Sequence, residues 1–562
     1  MVVGEYLEPI HADCVVVGGG IAGCWTALKL HSKNIKTVLI YYSSNDRGGN
    51  LGSTALSVGA INTSALTRSD YRSWIEEMGR GQVQANICDI TEAFLAEELE
   101  ELKKYDVLKP INLGVALKSG SASKLTTELL KELKNLGVEV IECGWVVKIN
   151  ASEAECHGLQ YQLGKNVGSI VAGSVVLASG GYSSLYQGAL KTGTYGSIHG
   201  RFLEAGGQLS NAEFVFKHGY GLPDIGGLTP TEELPGVEIY HGDKLHLKWL
   251  EEELFYGKGT NNHFQAFMTW RKNPNRKYYI DFRYRDLHRL LKSQFIAIEE
   301  GAGANRDQKI NELLMYVVKK CNHGCEEEIK KIVLEIVKKK RDYNYQVFGE
   351  LKSMLSKSFV EDKHRIRQIA YYSMGGMMHD RFKTNLKNVF VTGEAMHDFG
   401  AHRVGGLPWA LYLCSARSIA EDISKLKEID GLYAESFPLV RKLANFDVKL
   451  LSLVQMNLQK HQENGVDENS SKDFLKWIRQ QRKILCEAGQ SLDDAFSYLL
   501  VAEAIMVSSL GRKESRGSFY RIDFKEENAD YVNSISVSVY DKESGRVVAN
   551  LIDKSLLFCR ST

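Results

Sequence analysis

The sequence predicts an α/β protein. It should contain a Rossmann-like nucleotide-binding domain with an inserted domain, then a helical bundle and a small β segment. Three observations support this prediction: a βαβ pattern opens the chain, periodicity weakens between about 218 and 361, and strand-like alternation returns at 535–552. The 562 residues also exceed what one hydrophobic core usually serves, so two or more domains are expected.

The opening segment has the pattern of a dinucleotide-binding unit. The β-branched run Cys14–Val17 precedes the string GGGIAG at 18–23, and an apolar helix follows. In this pattern Gly18 allows the tight turn, Gly20 lets the backbone approach a pyrophosphate, and Gly23 lets the helix pack closely on the strand. The glycine motif alone is weak evidence, but its place directly after a strand and at the start of a helix favours dinucleotide binding over a mere tight turn.

Two segments that follow bear on the same site. The second strand, Thr37–Ile40, ends in Tyr41 and Tyr42 instead of the acidic residue that usually binds the ribose, which leaves the ribose contact unassigned. The stretch at 52–62 is rich in Gly and Ser, a composition that disfavours a helix and suits a chain lying flat against a planar ring system. An ordinary loop explains the second stretch equally well from local features alone.

Composition excludes several classes of protein. Lys and Arg number 70 against 69 Asp and Glu, so nothing indicates nucleic acid or an anionic membrane as a partner. No apolar run approaches the roughly 20 residues that span a bilayer, and no signal-peptide core is seen, so a cytoplasmic location is expected. The ten cysteines form no CxxC pair, so no metal site is predicted and reduced thiols are expected.

The chain is expected to divide into four parts. A nucleotide-binding domain comprises 1–217 and 362–430, a capping domain is inserted at 218–361, a helical bundle covers 431–510, and a C-terminal segment covers 511–562. Within the bundle, 460–472 is predicted to be a polar loop.

Several short strings follow one another along the chain: GGGIAG at 18–23, the small-residue stretch at 52–61, ASGG at 178–181, EFVFKH at 213–218, FM at 267–268, RD at 285–286, EGAG at 300–303, SMGG at 373–376, GAHRVGG at 400–406 and ESRGSFYR at 514–521 with Asp523. In kind and order they resemble the flavoprotein family of succinate dehydrogenase, fumarate reductase and L-aspartate oxidase. The last string is unusual enough to be strong evidence, and the matches span nearly the whole chain.

The resemblance implies FAD as the cofactor. Ser53 stands where the family has the histidine that bonds covalently to the flavin, so FAD is expected to bind non-covalently. The residues expected to contact it are Gly18, Gly20, Gly23, Gly52, Ser53, Thr54, Gly59, Gly180, Gly181, Gly393 and Glu394.

The resemblance also implies a substrate site. Arg403 would clamp a carboxylate through its forked donors and His218 would add a second donor. Arg285 would deliver a proton and Glu232 would relay it, although the ordinary pKa of arginine makes it a surprising acid. Each residue also has an ordinary structural interpretation: an ion pair for Arg403 and Arg285, a core histidine for His218, and a solvated carboxylate for Glu232.

This chain departs from the family pattern around that site. Tyr371 and Phe399 replace two substrate-binding histidines, Pro408 replaces a serine that touches the flavin, and Pro235 replaces an arginine of the proton relay. Tyr371 is kept as a candidate catalytic residue because its hydroxyl is still a donor. Losing polar donors should weaken binding of a small dicarboxylate by about 1–3 kcal/mol each.

The sequence therefore predicts an FAD-dependent dehydrogenase or reductase that acts beside a carboxylate. Two alternatives stay open: an L-aspartate-oxidase-like enzyme that passes electrons to oxygen, and a non-catalytic subunit that holds FAD for electron transfer. The expected partners are a small carboxylate substrate and an iron–sulfur or other electron-transfer subunit, with no nucleic acid and no direct membrane insertion.

Overall fold

The computed structural model describes residues 4–42, 60–84, 86–111, 114–118, 121–152, 154–187, 189, 194–221, 238–241, 244–245, 278–281, 363–402, 405–430 and 437–554. The chain divides into two compact units. Unit 1 comprises Met1–Lys217 with Ala370–Thr562, and unit 2 comprises His218–Ile369.

The described helices are Ile21–Ser32 (α1), Ser64–Thr67 (α2), Tyr71–Met78 (α3), Asn86–Lys103 (α4), Ser121–Asn135 (α5), Ser197–Glu204 (α6), Leu407–Asp430 (α7), Val448–Asn464 (α8), Glu468–Glu487 (α9) and Asp494–Gly511 (α10). The described strands are Ile10–Val17 (β1), Thr37–Tyr41 (β2), Ala60–Asn62 (β3), Leu108–Ile111 (β4), Gly114–Leu117 (β5), Glu139–Glu142 (β6), Trp145–Ser152 (β7), Glu155–Leu163 (β8), Asn166–Leu177 (β9), Gln208–Ser210 (β10), Val215–Gly221 (β11), Glu238–His241 (β12), Lys244–Leu245 (β13), Tyr278–Asp281 (β14), Lys363–Ser373 (β15), Gly376–Met377 (β16), Val389–Val391 (β17), Ser534–Asp541 (β18) and Arg546–Asp553 (β19).

The main sheet of unit 1 has the strand order β6-β2-β1-β9-β8-β7, and β17 pairs with β9. Strands β6, β2, β1, β9 and β17 run parallel, as the βαβ pattern predicts. Strands β2, β9 and β17 are buried almost throughout, as strands covered on both faces are, whereas the edge strand β6 has an exposed glutamate at each end. One face receives α1, which packs against α5 and α7. The predicted α/β class with a Rossmann-like domain is confirmed.

A second sheet of unit 1 has the order β16-β10-β18-β19. Strands β18 and β19 form an antiparallel hairpin whose register closes at Asp541 and Arg546, as the alternation at 535–552 predicts. Because β18 also pairs with β10, the C-terminal segment is built into unit 1. Strands β3, β5 and β4 form a small third sheet. In unit 2, β12 pairs antiparallel with β13 and β14.

The C-terminal helices confirm the predicted helical region but correct one detail. The polar loop predicted at 460–472 is wrong in extent, because α8 continues to Asn464 and α9 begins at Glu468. His461 is buried and its ring lies 5.8 Å from Phe474, so a polar sequence here forms one packed helix face. The Asp467 side chain accepts a hydrogen bond from Ser470 N and caps α9.

Helix α10 is apolar and almost entirely buried in unit 1. By length and composition it could cross a membrane, yet 83% of that 18-residue window is buried inside the protein. Core helices pass the same composition test, and α10 packs against α6, α8 and α9 as a core helix does.

Candidate cofactor and active site

Three glycine-containing turns lie at one edge of the main sheet. Strands β1, β9 and β17 are parallel neighbours, so their carboxyl ends meet there. The turns that follow are Gly18–Gly20, Ala178–Gly181 and Thr392–Glu394. In parallel α/β sheets this edge is where ligands bind.

The first turn is built so that only glycine fits at two positions. Gly18 has φ +125°, and a Cβ there would lie 2.2 Å from the carbonyl oxygen of Ala178. A Cβ on Gly23 would lie 1.9 Å from the carbonyl oxygen of Gly18. The backbone of residues 18–20 is therefore in direct contact with the end of β9 and with the start of α1. Side chains at Gly18 and Gly23 would push these segments apart.

The amino end of α1 is suited to an anion. Gly20 is its N-cap, no side chain caps it, and the first turn carries no acidic residue. The first amides of a helix lack partners within the helix, and the helix dipole adds positive potential there. Residues 18–23 thus have the chemistry that holds the pyrophosphate of a dinucleotide. The contacts of Gly18, Gly20 and Gly23 with a cofactor remain a prediction.

The second and third turns meet at Glu394. A Cβ on Gly181 would lie 2.5 Å from Glu394 Oε1 and 1.8 Å from Ser373 Oγ. Glu394 Oε1 accepts hydrogen bonds from the amide of Ser373 at 3.0 Å and from its hydroxyl at 3.1 Å. Gly393 has φ +70°, and a Cβ there would lie 2.9 Å from the Cβ of Ala22 in α1. Four predicted cofactor residues, Gly180, Gly181, Gly393 and Glu394, therefore lie at the same edge as the first turn.

Several predicted site residues lie outside the described residues. These are Gly52, Ser53, Thr54 and Gly59 of the small-residue stretch, and Glu232, Arg285 and Arg403 of the substrate site. His218 lies in β11, of which the backbone is described at that position.

The segments that flank Arg403 are described on both sides. The amide of Asn62, which follows the small-residue stretch, donates to Gly406 O at 3.1 Å. Gly406 has φ +81°, and a Cβ there would lie 2.8 Å from Asn62 N, so its place is close-packed. On the other side, the amide of Ala401 donates to Gly79 O at 3.1 Å. The two ends of the GAHRVGG string are therefore fixed by different parts of unit 1.

Tyr371 belongs to an aromatic cluster in unit 1. Its ring lies 6.4 Å from Phe216, and the Phe216 ring lies 5.8 Å from His402. Phe216 lies two residues before His218. It contacts Tyr371, which precedes the SMGG string, and His402, which precedes Arg403. Phe399, the other replacement for a family histidine, is 2% exposed and belongs to the hydrophobic core.

The ESRGSFYR string forms a buried ion network. Arg512 Nε donates to Glu213 Oε1 at 2.6 Å and its Nη1 donates to Glu514 Oε1 at 2.9 Å. Arg516 binds both oxygens of Glu514 at 2.8 Å. Burial alone would raise the pKa of Glu514, but the hydrogen bonds from Arg516 and the Asn528 amide and the two guanidinium charges hold that pKa below its ordinary value. Removing one partner from such a network leaves a buried charge and costs about 3–5 kcal/mol.

The same string positions two segments of the predicted substrate site. The hydroxyl of Ser518 donates to Val215 O at 2.7 Å, and its amide donates to Ala401 O at 3.3 Å. Gly517 has φ +54°, and a Cβ there would lie 2.2 Å from Ala401 O. Val215 stands three residues before His218, and Ala401 stands two before Arg403. One loop therefore fixes the chain leading to both predicted carboxylate ligands.

Sequence reasoning missed a buried polar cluster behind this region. The Tyr372 hydroxyl contacts both Asp398 Oδ2 and the hydroxyl of Tyr412, and all three residues are buried. The amide of Phe399 also donates to Asp398 Oδ1 at 2.5 Å. The sequence signal for this cluster was Asp398, an acidic residue directly before Phe399 in a mostly apolar segment. A buried acid needs hydrogen-bonding partners, so it indicates a polar cluster.

A buried histidine next to this cluster was also missed. His397 Nδ1 lies 3.3 Å from Gln84 Nε2 and its Nε2 lies 3.2 Å from Asn211 Nδ2. Burial lowers the pKa of His397 to about 3, with further lowering from His379, so its ring is neutral at physiological pH. Within the described part of the chain, no group of three or more His, Cys, Asp or Glu could hold a metal ion.

Two family profiles match the chain. The profile described as pyridine nucleotide-disulphide oxidoreductase matches residues 12–211, and the one described as fumarate reductase flavoprotein C-terminal region matches residues 481–553. The first match covers the glycine turn and β9, and the second covers Arg512, Glu514 and Arg516 of the ion network and the β18–β19 hairpin.

Two relatives and one solved structure extend over nearly the whole chain. An uncharacterised FAD-dependent oxidoreductase of Methanocaldococcus jannaschii is 21% identical over 93% of this chain and 96% of its own. L-aspartate oxidase of Pyrococcus horikoshii is 22% identical over 92% and 97%. The FrdA chain of E. coli quinol fumarate reductase is 16% identical, covers 97% of each chain and has a TM-score of 0.67.

The fold and the cofactor edge define an FAD-dependent oxidoreductase. The chain is similar in sequence to L-aspartate oxidase and in fold to the FrdA chain of fumarate reductase, and its C-terminal region matches the fumarate reductase flavoprotein profile. The residues described at the edge suit FAD, because the glycines let the turns and α1 pack closely together and the amino end of α1 is uncapped and carries no acidic residue in its first turn.

Proposed function

We propose that the protein binds FAD non-covalently and uses it to oxidise or reduce a substrate next to a carboxylate group. FAD supplies hydride transfer at N5 of its flavin. In this proposal Arg403 and His218 bind the carboxylate, Tyr371 lines the site, Arg285 delivers a proton and Glu232 relays it. An iron–sulfur or other electron-transfer subunit as partner, and a cytoplasmic location, stay predictions.

The observation that carries the proposal is the double anchorage by Ser518. Its hydroxyl and amide bind Val215 O and Ala401 O, on the two segments that lead to His218 and Arg403. A buried ion network holds that loop in place and resists small shifts. Such rigidity is what a site needs if it must hold a carboxylate within a few tenths of an ångström of productive geometry.

The aromatic cluster supports a substrate with one carboxylate and a less polar remainder. Tyr371 keeps one hydroxyl donor and its ring contacts Phe216, whereas Phe399 offers no donor. A small dicarboxylate would need charged or polar donors at both ends, and these two replacements reduce their number.

The proposal is tested with purified protein under anaerobic conditions. A panel of mono- and dicarboxylic acids is added and bleaching of the flavin absorbance is followed. Arg403→Lys keeps the charge but loses the forked geometry, so kcat/KM on the active acid should fall about tenfold or more. Arg441→Lys, at an exposed position, is the matched control and should change nothing. An unchanged kcat/KM in Arg403→Lys refutes the role of Arg403.

Non-covalent attachment has a separate test. Acid precipitation of the denatured protein should release all yellow colour into the supernatant, because Ser53 replaces the histidine that would form the bond. Colour that stays in the pellet contradicts this part of the proposal.

An L-aspartate-oxidase-like reaction is the second candidate. The match to the Pyrococcus horikoshii enzyme over 92% of this chain favours it. In that case the reduced flavin reoxidises rapidly in air and L-aspartate bleaches it, whereas a dehydrogenase reoxidises slowly without an added acceptor. Failure of every carboxylate to bleach the flavin would favour an electron-transfer subunit instead.

A further inference from the structure

The second strand of the dinucleotide-binding unit ends without an acidic side chain. At that place stands Tyr41, whose ring lies against the glycine turn: a Cβ on Gly19 would be 2.6 Å from Tyr41 Cγ. In dinucleotide-binding folds the ribose lies beyond the end of this strand and beside the turn, where an acidic group accepts its hydroxyl hydrogen bonds. Tyr41 therefore borders the position of the missing acid.

A carboxylate reaches the same place from the neighbouring strand. β6 runs parallel to β2, and Glu142 pairs in register with Tyr41, so both residues end their strands at the cofactor edge. The Tyr41 hydroxyl hydrogen-bonds the Glu142 carboxylate, and Lys134 of α5 contacts the same group. The hydrogen bond from Lys134, its charge and the bond from Tyr41 hold the pKa of Glu142 below its ordinary value, so this group is ionised at neutral pH.

We propose that Glu142, oriented by Tyr41 and Lys134, accepts hydrogen bonds from the adenosine ribose of FAD and replaces the acid that β2 lacks. A carboxylate offers about four lone-pair positions, and its two partners leave the others free. The Glu142 side chain is 50% exposed, so a ribose can approach it.

Two aromatic residues close in the chain to Tyr41 and Glu142 fit the base that follows such a ribose. Tyr42 is 59% exposed, and its ring lies 6.0 Å from that of Trp145. Trp145 is itself held by a hydrogen bond from its Nε1 to Asp494 Oδ1 at 2.9 Å. The two rings are tilted by 45° to each other, so adenine can stack on the face of one of them and contact the edge of the other.

A plain surface ion pair is the ordinary interpretation of Glu142 and Lys134. Such a pair contributes little to stability and would not distinguish one cofactor from another. If Glu142 binds the ribose, the protein should instead distinguish FAD from an analogue that lacks a ribose hydroxyl. A surface ion pair would make no such distinction.

The experiment measures ribose selectivity and not activity. Full-length protein is stripped of flavin and reconstituted in equimolar mixtures of FAD with its 2′-deoxyadenosine or 3′-deoxyadenosine analogue, and the bound ratio is measured by mass spectrometry. The unmodified protein should prefer FAD about tenfold over at least one analogue, as one charge-assisted hydrogen bond allows. Glu142→Ala should bind FAD and that analogue equally. Tyr41→Phe, which frees the carboxylate, should show a reduced preference.

Glu139→Ala is the matched control, because Glu139 lies on the same strand, is exposed and pairs with Val38 away from the edge. It should keep the full preference. The proposal is overturned if the unmodified protein shows no preference for FAD, or if Glu142→Ala keeps it. Thermal unfolding checks that each variant folds, and if Glu142→Ala does not, an unreduced preference in Tyr41→Phe overturns the proposal.

Discussion

Gly23→Ala sets two physical effects against each other at the cofactor turn. Gly23 lies in the first turn of α1, where alanine would gain about 1 kcal/mol of helix propensity. The new Cβ, however, would lie 1.9 Å from Gly18 O, a backbone atom of the turn itself. Relieving that overlap requires the helix and the turn to separate by more than about 1 Å, and such overpacking costs about 1–3 kcal/mol or more.

The overlap should therefore outweigh the propensity gain, and FAD affinity should fall at least tenfold because the displaced backbone is the part that approaches the pyrophosphate. Gly511→Ala is the matched control: it ends α10, and a Cβ there meets nothing within 4 Å. FAD affinity is measured by fluorescence titration, with thermal unfolding in parallel. Unchanged affinity and stability in Gly23→Ala would show that the turn is misassigned.

Three further predictions concern stability, positioning and substrate. Burial raises the pKa of Asp494 from 3.8 to about 6, so the folded state binds the extra proton between these values and stability falls as pH rises through that window. Asp494→Asn should abolish that fall and raise the free energy of unfolding at pH 7 by up to about 3 kcal/mol, less the loss if the amide fits Trp145 and Ser197 imperfectly. Urea unfolding across pH 4–8 measures this, and an unchanged pH dependence of stability contradicts it. Ser518→Ala should leave FAD content intact but lower kcat/KM on the active carboxylate about three- to tenfold, since one buried hydrogen bond is worth about 1 kcal/mol. Ser452→Ala, on the exposed face of α8, should change neither. Equal kinetics in the two variants would show that the Ser518 loop does not position the substrate site. Succinate and fumarate should turn over poorly and improve when Tyr371→His is combined with Phe399→His; a micromolar KM for either acid in the unmodified protein would mean that this is an ordinary dicarboxylate site.

Local sequence chemistry predicted the start and the end of unit 1. Gly18 and Gly23 mark the first turn because few arrangements other than a close-packed strand and helix need glycine at both places. The β18–β19 hairpin follows from strict alternation around 541–546. The polar loop at 460–472 was predicted wrongly because composition does not distinguish a solvated loop from a helix whose buried face includes His461.

Contacts between residues far apart in the chain could not be predicted from one sequence. Arg512 binds Glu213 across 299 residues, and Ser518 binds Val215 across 303. The ESRGSFYR string resembles a family motif, but its physical role depends on partners that only the fold brings together. The same is true of Glu142, which becomes relevant to the cofactor only because β6 pairs with β2.

Anaerobic reduction of the bound flavin by carboxylic acids tests the central claim most directly. We expect that an acid with one carboxylate and a less polar remainder bleaches the flavin, that Arg403→Lys slows this at least about tenfold, and that Arg441→Lys does not. Flavin that stays oxidised with every acid tested, in a protein that also fails to reduce any unsaturated acid when supplied with reduced dye, would contradict it.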